Sequence, residues 1–411
     1  MKILQIASRI PYPLTDGGKV CLFNTMKYLA LRGHKITLLT YENEALGDLG
    51  PIREVCDLEL VRKSTKDSLL GGFFNLFSDV PYKISKYISK KLETVLTELL
   101  KSETFDIVLV EQLHMAYYGL LCKRLAGVPI ILREENVESV IVERFVETKN
   151  IPIIRNYLRT QLKRIRRYEA EKTALFDMCC MITEEDCKKL RSLNQSVQTC
   201  VITAGVEASY FSKMSSAIKV PHSICFFGSY AWPANKDGAL WFLEKIFPQV
   251  LEQMPDAKFY LIGKDIPAEI RRYQNKNVIV RGFASDLRQE LSQYEITIAP
   301  IRIGSGIRLK ILESFAMQIP VVTTSIGCEG IQATNSEHIL IGDTADEFAE
   351  QVARLLNDKD LQNRIAMNAY VLAEQKYRWE QIAEQFENMC KGVISSISHT
   401  QQSHAVANTK Y

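Results

Sequence analysis

The sequence predicts an α/β fold made of two doubly wound parallel-sheet domains. Three observations carry that expectation. The chain has 411 residues, too many for one ordinary domain. Short β-branched runs alternate with amphipathic, helix-like segments through both halves, the pattern of parallel sheets with helices on both faces. Two runs of the second half, "FFG" and "LIG", end in glycine at their carboxyl ends, where such sheets build their binding loops.

In order, "KILQIA" (2–7) is a strand, "KVCLFNTMKYLALRG" (19–33) a helix and "KITLLTY" (35–41) the next strand. "DIVLVEQ" (106–112), "VPIILRE" (128–134), "MCCMIT" (178–183) and "VQTCVIT" (197–203) continue the series, with helical segments between them. The second half repeats it with "HSICFFG" (222–228), "AKFYLIG" (257–263), "NVIVRG" (277–282), "EITIAP" (295–300) and "PVVTTS" (320–325). The join falls near "TAGVEASYF", giving a first domain over 1–202 and a second over 203–376. Trp379, Ile382, Phe386, Met389 and Val393 form one apolar stripe, which predicts a helix over 377–397. The polar, aperiodic tail 398–411 is expected to be disordered. In such a two-domain protein the expected binding site is the cleft between the carboxyl edges of the two sheets.

Composition narrows the classes. A hydrophobic share of 46% and a charged share of 24% are those of a soluble globular protein, and a net charge of +3 is too small to imply a nucleic-acid partner. The start "MKILQIASRIPYP" lacks the apolar length of a secretory signal, and no apolar run approaches the roughly 18 residues that span a membrane. A cytoplasmic protein is expected, with room for contact at a membrane surface. The ten cysteines sit mostly in apolar runs, and none are paired as C-x-x-C. Cys179, Cys180 and Cys187 cluster without a nearby histidine, so no structural metal is expected.

The chemistry concentrates in "IAPIRIGSGIRLKILESFAMQIPVV". Gly304 and Gly306, flanking Ser305, supply a tight loop that lets backbone N–H groups approach a ligand. The helix that follows offers unsatisfied N–H donors and the positive end of its dipole. Arg308 and Lys310 oppose that dipole unless an anion joins them, and a diphosphate reconciles the two. Glu313 lies one turn after Lys310 on the same face, where a carboxylate can accept hydrogen bonds from a ribose. Ile311, Leu312 and Phe315 fill the core side. The plainer alternative is a glycine-rich turn bearing solvated cations.

No G-x-G-x-x-G follows the first strand and no Walker pattern occurs, which argues against redox dinucleotides and P-loop phosphoryl transfer. Gly17 and Gly18 nevertheless open a helix after the first strand, a second glycine-rich loop. His114 follows the strand "DIVLVEQL" at its carboxyl end, as either a structural or a functional residue.

With these residues the chain resembles a GT-B fold glycosyltransferase of family 4, the retaining group 1 transferases, in the branch of bacterial polysaccharide biosynthesis. The resemblance spans roughly residues 1–395. "PYPLTDGGKVCLFNTMKYLALRGHKITLL", "LREENVESVIVER", "VITAGVEASYF", "FFGSYAWPANKDGALWFLEKIFP" and "GSGIRLKILESFAMQIPVVTTSIGCEGI" stand in the family's order. It implies two Rossmann-like domains facing an interdomain cleft, with the terminal helix crossing back to the first. It also implies transfer of a sugar from a UDP- or GDP-linked donor, with retention, to a glycan or lipid-linked acceptor. Arg308 and Lys310 would hold the diphosphate and Glu313 the ribose. Gly17, Gly18, Gly228, Lys236, Gly304, Ser305 and Gly306 would line the donor site. His114 would lie beside the transferred sugar, and Asn136 on the acceptor side. No cofactor or bound metal is implied, because fixed cations and a helix N-terminus can stabilise the leaving diphosphate.

The sequence departs from the family in places. Ser305 stands where a first glutamate is often found, which leaves the donor sugar's hydroxyl contacts open. Gly228-Ser229 replaces Gly-Arg, so Lys236 is the remaining downstream cation. Ala204 replaces Asn, and Arg133-Glu134-Glu135 precedes Asn136 where His is common.

Outside the site, 154–172 carries seven basic and two acidic residues around the apolar stripe Leu158, Leu162 and Ile165. It reads either as a membrane-surface helix or as a helix packed on its domain with a solvated basic face. Phe73, Phe74 and Phe77 can line an acceptor groove, contact a membrane, or belong to the core. A nucleotide-sugar epimerase or hydrolase and a non-catalytic nucleotide-sugar binding subunit remain as alternative functions.

Overall fold

The computed structural model describes residues 1–42, 48–147, 152–211, 219–304 and 306–408. The chain divides into two compact units, one of Met1–Thr203 with Ile382–Tyr411 and one of Ala204–Gln381. Each contains a fully parallel sheet.

The first unit has seven strands: β1 (Lys2–Ala7), β2 (Lys35–Glu42), β3 (Asp57–Arg62), β4 (Ile107–Glu111), β5 (Ile130–Glu134), β6 (Met178–Met181) and β7 (Thr199–Val201). Their order is β3-β2-β1-β4-β5-β6-β7. Leu4, Ile6, Val108, Val110, Ile130 and Leu132 are buried on one face, and Ile3, Leu109 and Ile131 on the other. Burial on both faces is why these strands read as continuous apolar runs and were visible in the sequence. The edge strand β3, "DLELVR", is half exposed, and its weak apolar signal hid it.

The second unit has six strands: β8 (Ser223–Phe227), β9 (Lys258–Ile262), β10 (Val278–Gly282), β11 (Ile296–Ala299), β12 (Val321–Thr323) and the two-residue β13 (Leu340–Ile341), too short to stand out in the sequence. Their order is β10-β9-β8-β11-β12-β13. In both units the winding reverses beside the first strand, between β1 and β4 and between β8 and β11. Open sheets of this kind place ligands outside the carboxyl ends of the strands at that reversal.

The last helix runs Trp379–Asn408, and from Ile382 onward it belongs to the first unit. The helix reaches Asn408, past the start of the tail expected to be disordered, and 409–411 lie outside the described residues. No helix among the described residues is long and apolar enough to cross a membrane.

Candidate functional site

In the second unit three neighbouring strands finish at Gly228, Gly263 and Gly282, all with positive φ. Gly228 N–H donates to Ile262 O at 3.0 Å, and Gly263 N–H donates to Gly282 O at 2.7 Å. The turns pack so closely that a Cβ on Gly263 would lie 1.7 Å from Gly228 O, with φ at +140° besides. Glycine is thus required there, and the result is a carboxyl edge where the backbone lies open to a ligand.

Across the reversal from Gly228, the chain leaves β11 through Gly304 and Gly306, at φ +113° and +82°. It then enters the helix Leu309–Ala316, with Arg308 as N-cap. Ser305 lies outside the described residues. Ile311, Leu312 and Phe315 are fully buried, as their spacing predicted. They anchor the helix so that its first turn meets the edge of β8.

Lys310 reaches that edge. Its Nζ donates to Asn235 Oδ1 at 2.8 Å and lies 4.2 Å from the centre of the Phe226 ring. Asn235 is fixed in turn, because its Nδ2 donates to Ser229 O at 2.7 Å. A Cβ on Gly228 would stand 3.1 Å from Lys310 Nζ, so the missing side chain is what admits the ammonium. Burial drives the Lys310 pKa down to about 7; Glu313 opposes this, while Arg308 adds to it. Burial likewise lifts Glu313 to about 7, with Lys310 pulling it back. Desolvation outweighs their mutual attraction, which marks a charged pair short of solvation.

The other cations have protein partners of their own. Arg308 Nη1 donates to Gly306 O at 2.5 Å and so braces the glycine loop. Arg302 makes a two-pronged ion pair with Asp237, at 2.7 and 3.0 Å. Lys236 is ion-paired with Glu269. Of the predicted residues, Gly228, Gly304, Gly306, Arg308, Lys310 and Glu313 gather at one edge, whereas the Lys236 ammonium is engaged by Glu269. Asn235 was missed as a site residue; its spacing before Lys236 was the only signal, since nothing in sequence says which of two neighbours turns inward.

In the first unit Gly17 opens the helix Gly17–Leu31, capped by Asp16, whose carboxylate accepts from Lys19 N–H at 3.1 Å. Arg9 holds Asp16 with contacts of 2.6 and 2.9 Å. A Cβ on Gly18 would lie 2.9 Å from Arg9 Nη2 and 3.0 Å from Glu135 Oε2. Gly18 therefore faces a cation and a carboxyl group that the sequence did not connect to it.

His114 follows β4 in a one-turn helix, Leu113–Met115, after Gln112 at φ +69°. It is buried, with Nε2 3.7 Å from Glu138 Oε1 and its ring 5.2 Å from Tyr87. Burial lowers its pKa, and Glu138 opposes the shift. Glu138 is held by Lys83 at 2.6 Å, and against its burial His114 and Lys83 together keep its pKa below the usual carboxylate value. Asn136 is half-buried in the same turn, between Glu135 and Glu138.

Beneath these groups lies a buried polar row. Gln5 donates to Glu111 Oε1 at 2.7 Å, and the Arg133 guanidinium stands 3.6 Å from Glu111 Oε2. Burial raises Glu111, Glu135 and, more strongly, Glu134, whose neighbours Glu169, Glu138 and Glu135 add to the shift. Glu169 accepts from the backbone of Glu138 and Ser139 at 2.7 and 3.1 Å, fixing the turn that carries Asn136. In the sequence Glu134 and Glu135 stood only as the residues before Asn136, with no sign that they join Glu111 and Glu169 in this row.

Comparison with known proteins follows the same division. Residues 221–358 match the family described as Glycosyl transferases group 1, a span that takes in the Lys310 edge. A Klebsiella pneumoniae protein, described as an uncharacterized 44.6 kDa protein in the cps region, is 22% identical over 388 residues, 92% of this chain and 96% of its own. Sucrose-phosphate synthase from Thermosynechococcus elongatus superposes with a TM-score of 0.72 at 14% identity, covering 96% of this chain and 99% of its own. HepE of Anabaena, solved in complex with UDP-glucose, superposes with a TM-score of 0.67 at 15% identity, covering 95% and 100%. These two likenesses establish a shared GT-B fold. The second unit thus carries a stretch, residues 221–358, that is similar to group 1 glycosyl transferases, within a chain of GT-B fold.

Proposed function

We propose that the protein transfers a sugar from a UDP- or GDP-linked donor, with retention of anomeric configuration, to a glycan or lipid-linked acceptor. The setting we infer is cell-surface polysaccharide assembly at the cytoplasmic face of a membrane. The observation that carries the donor assignment is Lys310: an ammonium drawn to a glycine-lined strand edge and left short of solvation, beside a helix N-terminus. A diphosphate supplies the missing counter-charge. As the bond from the anomeric carbon to the diphosphate oxygen breaks, its electron pair leaves on the phosphate. Lys310, Arg308 and the N–H groups of the helix meet that charge, with no bound metal needed. Glu313, one turn on, takes the ribose hydroxyls, and Gly228, Gly304 and Gly306 let the backbone close on the phosphates. In the first unit His114, held by Glu138, is assigned to the transferred sugar, and Asn136 to the acceptor.

The comparisons support this reading. The Anabaena relative was captured with UDP-glucose, and the Klebsiella relative is described from a cps region. The test is Lys310→Ala. Calorimetry should show weakened UDP or GDP binding, and transfer to acceptor should fall by on the order of a hundredfold, with the parent rate unaffected by a chelator. Unchanged nucleotide binding in the variant overturns the assignment. An isomerised donor, or free sugar without an acceptor product, would point instead to an epimerase or hydrolase.

A further inference from the structure

Between β3 and the buried helices of the first unit, a short helix over Leu69–Phe74 and the turn Asn75–Phe77 form a hook. It presents large apolar side chains to solvent: Leu70 is 71% exposed, Phe73 57%, Phe74 68% and Phe77 84%. The rings form one cluster, Phe73 lying 5.9 Å from Phe74 and 6.2 Å from Phe77. Contiguous exposure of this kind marks a contact surface.

The hook is firmly mounted. Buried Asn75 donates to Val80 O at 2.8 Å and accepts from Gln161 Nε2 at 3.0 Å. Arg164 donates to Asn75 O and Leu76 O, both at 2.8 Å. Gln161 and Arg164 belong to the helix Pro152–Thr173, so the hook and that helix are one body. The apolar stripe of the helix is spent on the domain, with Ile165 fully buried and Leu162 packed against the core. Its basic residues are a different matter. Residues 152–168 contain no acidic side chain. Arg155, Arg159 and Lys163 are exposed and make no ion pair among the described residues. The acids flanking the hook are already neutralised, Asp67 by Lys86 at 2.8 Å and Asp79 by Arg167 at 3.2 Å.

We propose that this hook, with the basic face of the helix that carries it, docks the protein on an anionic lipid surface. Aromatic side chains suit the boundary of headgroups and acyl chains, and exposed cations on the helix that anchors them suit acidic headgroups. A second copy is the poorer occupant, because a two-fold contact would set basic face against basic face. The same excursion of chain returns with Lys83 on Glu138 and Tyr87 on His114. Docking therefore brings the acceptor-side residues of this unit close to the bilayer, a consequence that rests on the glycosyl-transfer reading.

The experiment is co-sedimentation of the full chain with phosphatidylcholine vesicles, with and without phosphatidylglycerol, at low and raised salt. Binding is expected to need phosphatidylglycerol and to weaken with salt. Arg159→Gln and Lys163→Gln should each reduce it about fivefold, and the double variant F74S/F77S by about tenfold or more. These side chains are exposed, so the variants should melt as the parent does. Failure of the parent to sediment at low salt overturns the proposal, as does unchanged binding by F74S/F77S. A dimer in ultracentrifugation that Phe77→Ser dissolves assigns the surface to self-association and also overturns it. UDP titration of the same samples separates the two readings: if no sample binds nucleotide, the donor assignment falls while the vesicle result stands.

Discussion

Lys310 sits where two demands on a lysine conflict. The helix holding it is pinned by Ile311, Leu312 and Phe315, so its ammonium is drawn against the strand edge, where desolvation lowers its pKa to about 7. Glu313 is raised to about 7 for the same reason. A bound diphosphate restores the Lys310 charge and lifts its pKa, so above pH 7 nucleotide binding must take up a proton and affinity must fall as pH rises. Below pH 7 Lys310 is already charged, whereas under the proposed ribose assignment Glu313 must shed a proton to accept the hydrogen bond. Proton uptake should thus give way to release near pH 7. Calorimetry of UDP in buffers of different ionisation enthalpy measures this directly, and Lys310→Met should abolish the uptake. A binding enthalpy independent of buffer at pH 8 would show that Lys310 does not meet the phosphate. The Lys310–Glu313 spacing was legible because a helix puts residues three apart on one face. The partnership with Asn235 was not, since it joins positions 75 residues apart.

At the scale of elements, the strand ends decide what the site can hold. β8, β9 and β10 stop at glycines, and two of them nearly touch, Gly263 packing against Gly228 O. Gly263→Ala should destabilise the second unit by about 2 kcal/mol or more, because the methyl group meets backbone that cannot move aside and φ is positive. Chemical denaturation checks this, and a midpoint equal to the parent's would mean the turn can open. The glycines were visible as "FFG" and "LIG", yet their mutual contact depends on the pairing of β8 with β9. The hook shows the opposite limit. Its phenylalanines were read as groove, membrane contact or core, because an apolar triplet in sequence does not reveal whether a domain has covered it.

The whole molecule ties its last helix to its first residues. Glu387 pairs with Arg32, the Arg133 guanidinium lies 5.4 Å from the Phe386 ring, and Cys200 contacts Met389 at 3.2 Å. Phe386 and Ile382 are fully buried. A chain ending at Gln381 should lose the thermal transition of the first unit and keep that of the second, as followed by scanning calorimetry; two intact transitions would show the helix to be dispensable. By itself the sequence determined the two parallel sheets, the helix-borne cations and the glycine loops, because periodicity, composition and local spacing act over a few residues. Only the tertiary structure decided which charges are spent in ion pairs and which remain for a ligand. It also decided that Lys236 meets Glu269 while Lys310 meets the strand edge, and that the phenylalanines of the hook stay in solvent. The physical reason is that desolvation and pairing depend on neighbours brought in from distant parts of the chain.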